Sequence, residues 1–139
     1  MSLNQQIINQ LKNKLSQIEE IEEVHEWLSR PLDEGEYPAL IIRDPMDKVH
    51  DDSLGVTEAH ALLIEIDLVI SPNNYEAVAI RELIPKIKRA IRDAITQEDF
   101  YYHGHYIGRE IIGEHRDYFY IASRLKFEIN FETEKWSEE

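Results

Sequence analysis

The sequence predicts an α+β fold in which a mostly antiparallel sheet is covered on one face by two helices, a two-layer sandwich. Its longest strand-like run is Ala59–Ile70, AHALLIEIDLVI. A strand places alternate residues on one face, and here these are Leu62, Ile64, Ile66, Leu68 and Ile70. The other face carries Glu65 and Asp67 at its middle. One face of the sheet is therefore expected to be buried under helices and the other to be half covered.

The size and composition of the chain narrow its function class. Its 139 residues favour one domain over residues 1–139, with residues 134–139 expected to fray. It contains no cysteine, which excludes disulfides and thiolate chemistry. Its formal net charge of −13 opposes binding to a nucleic-acid backbone, and no apolar run approaches the roughly 18 residues of a membrane span. We expect an intracellular protein with neither a sequence-specific nucleic-acid partner nor a membrane partner.

The first element is an amphipathic helix predicted over Leu3–Glu22 and capped by Asn4. Its apolar stripe recurs at three- and four-residue spacing and comprises Ile8, Leu11, Leu15 and Ile18. Acidic residues follow at the negative end of the helix dipole, which is unfavourable, so fraying is expected near Ile18–Ile21. This acidic cluster, Glu19, Glu20, Glu22 and Glu23, is interpreted either as a solvated face or as a contact with a basic patch on another subunit.

Two short strands and a long loop are predicted next. Val24–Leu28 and Ala39–Arg43 are strand-like, and a polar turn around Gly35 separates them. Asp44–Thr57 has no apolar period and contains several turn-forming residues, so it is predicted to be a loop. Its aspartates do not have the spacing of a calcium-binding loop; they are Asp44, Asp47, Asp51 and Asp52.

A second amphipathic helix is predicted over Tyr75–Ile95. Pro85 lies inside it and is expected to kink the helix or divide it, because proline removes one backbone donor and crowds the preceding turn. The outer face carries Arg81, Lys88 and Arg92 in line, so the helix is net basic in an acidic chain. This basic face either keeps the protein soluble or docks an acidic neighbour.

Histidines cluster in the predicted link Gln97–Tyr106, where His103 and His105 flank Gly104, a residue that indicates a turn. His115 follows further along the chain. Zinc sites use His-x-His on strands, but no third ligand has a defined spacing here, so surface histidines are the preferred interpretation. Catalytic-triad and phosphate-binding glycine motifs are absent from the sequence. No catalytic, cofactor-binding or metal-binding residue is predicted.

The chain closes with two strands, Tyr106–Arg116 and Tyr118–Thr133, joined by a tight turn at Asp117. The last strand places Arg124 and Lys126 on the sheet face that also bears the two acids of Ala59–Ile70. If the two long strands are neighbours, these charges pair across the ladder. All strand pairings can be antiparallel in this order of elements.

The candidate contacts to a partner are the charged residues of the half-exposed sheet face and of the second helix. They are Glu65, Asp67, Arg81, Lys88, Arg92, Arg124 and Lys126.

The order of elements also resembles a known protein family. The features are an opening helix ending in LSQIEEIEEVHEWL, a YPALII strand, a long polar loop, an ALLIEIDLVI strand, an AVAIRELIPKIKRAI helix and a final YFYIASRLKFEINFET strand. Over roughly Leu3–Thr133 this combination resembles the tail-terminator and tail-completion (minor tail) proteins of long-tailed phages and prophages.

The resemblance implies structural work without catalysis. Such proteins form a homo-oligomeric ring, commonly six-fold, that caps the tail tube, stops its polymerisation and presents a surface to the head-connector protein. The implied location is the virion tail, and the host cytoplasm during assembly. In such a ring the aspartates of the predicted loop would line an acidic lumen that lets DNA pass.

Three alternatives stay open at this point. A neck or head–tail stopper protein would dock in a similar way without forming a stable ring. A small metal-dependent or acid–base enzyme would use His103, His105 or His115 with a nearby carboxylate. The last alternative is another kind of interaction module.

Overall fold

The computed structural model of the chain describes residues 2–28, 32–51, 57–71, 77–96, 102–115 and 120–134. In these ranges two α-helices accompany a five-stranded, mostly antiparallel sheet, which confirms the predicted α+β class. The elements in chain order are helix α1 (Leu3–Leu15), strand β1 (Glu23–Glu26), a 3₁₀ helix (Glu34–Glu36), strands β2 (Ala39–Asp51) and β3 (Thr57–Ile70), helix α2 (Ala77–Ile95), and strands β4 (Tyr102–His115) and β5 (Tyr120–Glu134).

The strand order is β1-β2-β3-β5-β4, with β3 at the centre. The two long strands β3 and β5 are neighbours and pair antiparallel, so the predicted charge pairing across the ladder is confirmed; the register sets Glu65 opposite Lys126 and Asp67 opposite Arg124. The order of elements allowed every pairing to be antiparallel, but one departs from this, because β1 and β2 run parallel. The segment between them, which contains the 3₁₀ helix, returns the chain to the end of the sheet where β1 began, so Glu23 pairs with Ala39.

Strand β2 is much longer than predicted. The prediction of a loop over Asp44–Thr57 is wrong for Asp44–Asp51 and for Thr57, the residues of this range that the structure describes. The strand continues to Asp51, and β3 begins at Thr57. The register shifts between Arg43 and Met46, which marks a bulge around Pro45. A bulge tolerates proline inside a sheet because the residue there need not donate to the ladder.

Strand β4 also starts earlier than predicted. Residues 102–106 belong to the strand rather than to a link, and Gly104 pairs with Ile129 instead of forming a turn. The predicted turn at Asp117 lies outside the described residues. Glu134 was expected to begin a frayed tail, but it is the last residue of β5. The rest of that predicted tail, residues 135–139, lies outside the described residues.

Helix α1 is shorter than predicted and has a different cap. Ser2, not Asn4, is the N-cap residue, and its side chain accepts a hydrogen bond from the Gln5 backbone N–H at 3.1 Å. The helix ends at Leu15, so the acidic cluster lies in the turns that follow. Ending before the cluster keeps those carboxylates away from the negative end of the dipole.

Helix α2 runs through Pro85 as one element of 19 residues, so the predicted division did not occur. Its buried residues repeat at helical spacing and comprise Ile80, Leu83, Ile84, Ile87, Ala90, Ile91 and Ala94. One core cluster combines these side chains with the buried residues of α1 and with alternate residues of β2, β3 and β5. Both helices therefore contribute side chains to one and the same core cluster.

A second, smaller core lies on the other face of the sheet. Ala39, Ile41, Val69 and Ile121 form it with Leu32, which precedes the 3₁₀ helix. The connection between β1 and β2 therefore covers one end of this face. The rest of the face carries charged side chains, which agrees with the prediction that it is half covered.

Candidate functional site

A cleft of about 740 Å³ lies between α2 and β4. Apolar atoms of Ile84, Ile91, Ile95 and Phe127 contribute to its lining. Among its lining residues, all of them described, none is acidic, and five are cationic: Arg81, Lys88, Arg89, Arg92 and Arg109. We call this cleft the basic groove. An apolar floor between basic walls suits an acidic partner that also presents some apolar surface.

Helix α2 forms one wall of the basic groove, because its cationic residues recur at helical spacing on one face. Arg81, Lys88 and Arg92 are exposed, while the alternate face of the helix is buried. The Lys88 ammonium lies 4.3 Å from the centre of the Tyr106 ring, a cation–π contact that joins α2 to β4. The alignment of these three cations was predicted. The contribution of Arg109 was missed, because the sequence does not reveal that β4 lies beside α2.

An acidic surface follows α1 and occupies β1 at the other edge of the sheet. Its members are all exposed and comprise Glu19, Glu20, Glu22, Glu23 and Glu26. We call this surface the acidic edge. Since β1 and β4 are the two ends of a five-stranded sheet, four strand spacings of about 4.8 Å separate them, or roughly 19 Å.

One member of the acidic edge is bound within the same chain. The Lys86 ammonium on α2 donates a hydrogen bond to the Glu20 carboxylate. This bond is the largest cause that holds the pKa of Glu20 below the usual glutamate value. The other members have no such cation at this distance among the described residues.

The charged residues predicted on the sheet face are brought together as expected, but around a buried centre. Asp67 is fully buried and accepts two hydrogen bonds from Arg124, at 2.7 Å (Nε) and 3.1 Å (Nη2). Arg43 also binds this carboxylate. Asp67 therefore cannot contact a partner directly, and its place among the predicted interface residues is corrected.

The neighbouring pair on this face is more accessible. Lys126 lies 4.0 Å from the Glu65 carboxylate and 3.0 Å from that of Glu110 on β4. Glu110 is more than half exposed. This end of the face remains available to a partner.

A buried histidine cluster was missed by the sequence interpretation. His60 is 5% exposed, and its Nδ1 lies 2.9 Å from an Asp47 carboxylate oxygen while its Nε2 lies 2.8 Å from the Thr133 hydroxyl. Its ring stacks on Phe131 with centroids 4.6 Å apart. His60 lies two residues before Leu62 and four before Ile64, so it belongs to the same buried row of alternate residues on β3. This spacing could have predicted from the sequence that His60 is buried.

The order Asp47–His60–Thr133 is that of a nucleophile triad. However, these residues line neither the basic groove nor the two smaller clefts beside the two ends of α1. The cluster joins the ends of β2, β3 and β5, which is a structural role. We assign it no catalytic step.

The predicted lumen aspartates are dispersed rather than gathered in a loop. Asp44 accepts a hydrogen bond from Trp27 Nε1 at 2.7 Å, and Asp47 binds His60. Asp51 ends strand β2, and Asp52 lies outside the described residues. His103, His105 and His115 lie on β4.

Three residues of the described part of the chain are spaced to hold a metal ion. Glu23, His25 and Glu36 each offer one ligand atom, and these atoms lie within 4.8 Å of one another. Two of the residues are on β1 and the third is on the 3₁₀ helix.

Comparisons of the chain with known protein families and with curated proteins find no match. Among the described residues, no helix has the length and apolar character needed to cross a membrane.

Proposed function

We propose that this chain is a structural protein of a phage or prophage tail. Copies of it associate head to tail into a ring that caps the tail tube, ends its polymerisation and joins it to the head connector. The observation that carries this proposal is that the basic groove lies beside β4 at one edge of the sheet, while Glu22, Glu23 and Glu26 of the acidic edge lie on or directly before β1 at the other edge. The resemblance in element order supplies the biological setting.

Two different complementary surfaces on opposite sides are what a head-to-tail contact needs. Such heterologous contacts form a closed ring when the rotation between subunits allows it. In the proposed ring, the acidic edge of one copy lies in the basic groove of the next. Charge complementarity sets the register and disfavours contacts between like surfaces.

Exposed apolar side chains near both surfaces supply the less polar part of the proposed contact. Trp27, directly after β1, is 54% exposed, and Tyr106 and Ile107 on β4 are 40% and 52% exposed. Aromatic residues are enriched at protein interfaces and often supply much of the binding energy. The edge strand β4 also presents unpaired backbone groups to a neighbouring molecule.

The overall charge fits a ring through which DNA passes. A surface with a net charge of −13 repels a phosphate backbone. This support comes from the whole chain and not from the four predicted lumen aspartates, since the described ones lie on a strand. The role requires no catalytic step and places the protein in the virion tail.

Charge reversal tests the ring. In sedimentation velocity the wild-type protein is expected to form one discrete oligomer, and Lys88→Glu/Arg92→Glu in the basic groove is expected to give monomers. Glu22→Lys/Glu26→Lys on the acidic edge should do the same, and combining all four changes should restore assembly. The matched control Lys12→Glu/Lys48→Glu carries the same change of charge on exposed residues outside the basic groove. It should assemble normally.

A wild-type protein that stays monomeric at every concentration would rule out self-assembly and favour the neck or stopper role. The tail assignment has its own test. Tubes polymerised from a tail-tube protein encoded beside this chain should carry a terminal ring in electron micrographs and stop growing. Tubes that elongate unchanged would refute the terminator role even if the ring forms.

A further inference from the structure

We infer that Glu23, His25 and Glu36 form a binding site for a divalent transition-metal ion, with zinc as the expected occupant. Glu23 and His25 are two residues apart on β1, so their side chains leave the same face of the strand. Glu36 reaches them from the 3₁₀ helix. The three ligand atoms already lie within 4.8 Å of one another.

The strongest support for a metal site comes from the imidazole of His25. Its Nε2 atom is buried and has no hydrogen-bond partner among the described residues. The nearest carboxylate oxygen, Oε2 of Glu36, is 3.8 Å away, which is too far for a hydrogen bond. A buried ring nitrogen without a partner is costly. A metal ion between the imidazole and the two carboxylates would satisfy it.

The Glu36 carboxylate is held in place by a second contact. Its Oε1 accepts a hydrogen bond from the Asp33 backbone N–H at 2.9 Å, so its Oε2 faces His25. Outer contacts of this kind orient metal ligands and raise affinity. The His25 and Glu36 side chains are only 17% and 15% exposed.

The donor set selects the class of ion. One imidazole and two carboxylates suit zinc, whereas calcium and magnesium prefer all-oxygen sites. Zinc bonds to these donors at about 2.0–2.2 Å, so ligand atoms that lie up to 4.8 Å apart must draw closer by about 1 Å. The exposed Glu23 side chain is able to make that adjustment. Three protein ligands leave a fourth position for water.

A bound ion would join β1 to the segment that leads into β2. Because the site is formed by the fold, metal binding would stabilise the folded state. The site shares no residue with the lining of the basic groove, but Glu23 also belongs to the acidic edge. The two tests stay separate, because the ring test changes Glu22 and Glu26 and the metal test changes His25 and Glu23.

The test is a titration of chelator-treated protein with Zn²⁺ by calorimetry and with Co²⁺ by visible absorption. Wild type should bind one ion per chain with a Kd in the low micromolar range or tighter, show cobalt d–d bands, and gain thermal stability with zinc. His25→Gln should lose stoichiometric binding, and Glu23→Gln, at an exposed position, should weaken it at least tenfold.

The matched control is His50→Gln, which removes an exposed histidine on β2. It should bind zinc as wild type does. Stoichiometric binding that survives in both His25→Gln and Glu23→Gln would place the ion elsewhere and overturn the inference. So would a wild-type protein that binds no ion, or one that binds only as weakly as the His25→Gln variant.

Discussion

Asp67 is the residue on which the charged face of the sheet depends. It is fully buried, and the guanidinium groups of Arg124 and Arg43 bind its carboxylate. We expect Asp67→Asn to lower the free energy of unfolding by about 3 kcal/mol, since it removes the buried charge that both guanidinium groups bind. Urea unfolding measures the change.

The control for Asp67 is Glu110→Gln, which removes the exposed partner of Lys126. Exposed ion pairs contribute about 1 kcal/mol or less, so this variant should unfold close to wild type. Equal effects of the two substitutions would mean that Asp67 is not the centre of the charged face.

The His60 cluster offers a second prediction at the scale of single residues. Thr133→Val keeps the shape of the side chain but removes the oxygen that lies 2.8 Å from His60 Nε2. An unsatisfied buried polar group costs about 1–3 kcal/mol, and thermal unfolding should show that loss. Thr96→Val, at an exposed site after α2, is the control: water replaces the hydrogen bond that its hydroxyl donates to the Arg92 carbonyl, so the loss should stay at about 0.5 kcal/mol. An unchanged Thr133→Val variant would mean that another group, such as Glu58 at 3.9 Å, takes the place of the hydroxyl.

The contact between Glu20 and Lys86 predicts a measurable titration. The hydrogen bond from Lys86 lowers the pKa of Glu20, so the bond stabilises the fold above the pKa of the unfolded chain and is lost as the pH falls through the lower folded value. Lys86→Met should raise the Glu20 pKa toward the usual glutamate value in a carbon-detected NMR titration. Lys12→Met, which lies outside this contact, should leave it unchanged. The same Glu20 pKa in both variants would contradict the assignment.

At this scale the sequence predicted which charges pair but not how deeply they are buried. Strand alternation was enough to place Asp67 and Arg124 on the same face, and the register of β3 and β5 sets them opposite each other. The burial of Asp67 depends on Arg43, which belongs to a third strand. His25 and Glu36 lie close together because β1 and β2 pair in parallel. No local sequence pattern predicts this parallel pairing of the strands.

At the scale of elements, local breaker residues misled the prediction wherever tertiary pairing overrode them. Pro45 and the surrounding aspartates indicated a loop, but β2 passes through them with a bulge. Gly104 indicated a turn, but it lies in β4 opposite Ile129. Both strands border a long, well-patterned neighbour, β3 or β5, whose ladder supplies backbone partners along their length. Propensity is a weak guide in that setting.

Pro85 in α2 gives the prediction that belongs to this scale. A proline inside a helix removes one backbone hydrogen bond and costs about 3 kcal/mol relative to alanine. The rigidity that it gives the unfolded chain offsets about 0.4–1 kcal/mol of this cost. Since Pro85 is exposed, Pro85→Ala should raise the free energy of unfolding by about 2 kcal/mol in urea unfolding. The control Arg81→Ala, on the same helix face, should be close to neutral. If Pro85→Ala instead lowers stability, the packing of the proline ring in the lining of the basic groove contributes more than the missing backbone hydrogen bond costs.

At the scale of the whole molecule, the basic groove could be predicted only in part. The basic face of α2 and the acidic cluster after α1 are both visible in the sequence. The placement of β1, with Glu23 and Glu26, and of β4 at opposite edges depends on the order β1-β2-β3-β5-β4, and Arg109 on β4 is thereby added to the groove. Long-range strand order leaves little trace in local patterns, so it was beyond sequence reasoning.

The proposed ring predicts an unusual dependence of assembly on salt. Each copy has a net charge of −13, so whole copies repel one another, while the acidic edge and the basic groove attract at short range. Screening reaches about 30 Å at 0.01 M salt, about 8 Å at 0.15 M and about 3 Å at 1 M. Raising the salt concentration from 0.01 M to about 0.15 M should therefore remove mainly the repulsion and strengthen assembly. A further rise to about 1 M should screen the contact itself and weaken assembly.

Sedimentation velocity across this series measures the oligomer fraction, and the groove variant Lys88→Glu/Arg92→Glu should stay monomeric throughout. Assembly that strengthens continuously up to about 1 M salt would show that apolar contacts, rather than the complementary charges, hold the ring together.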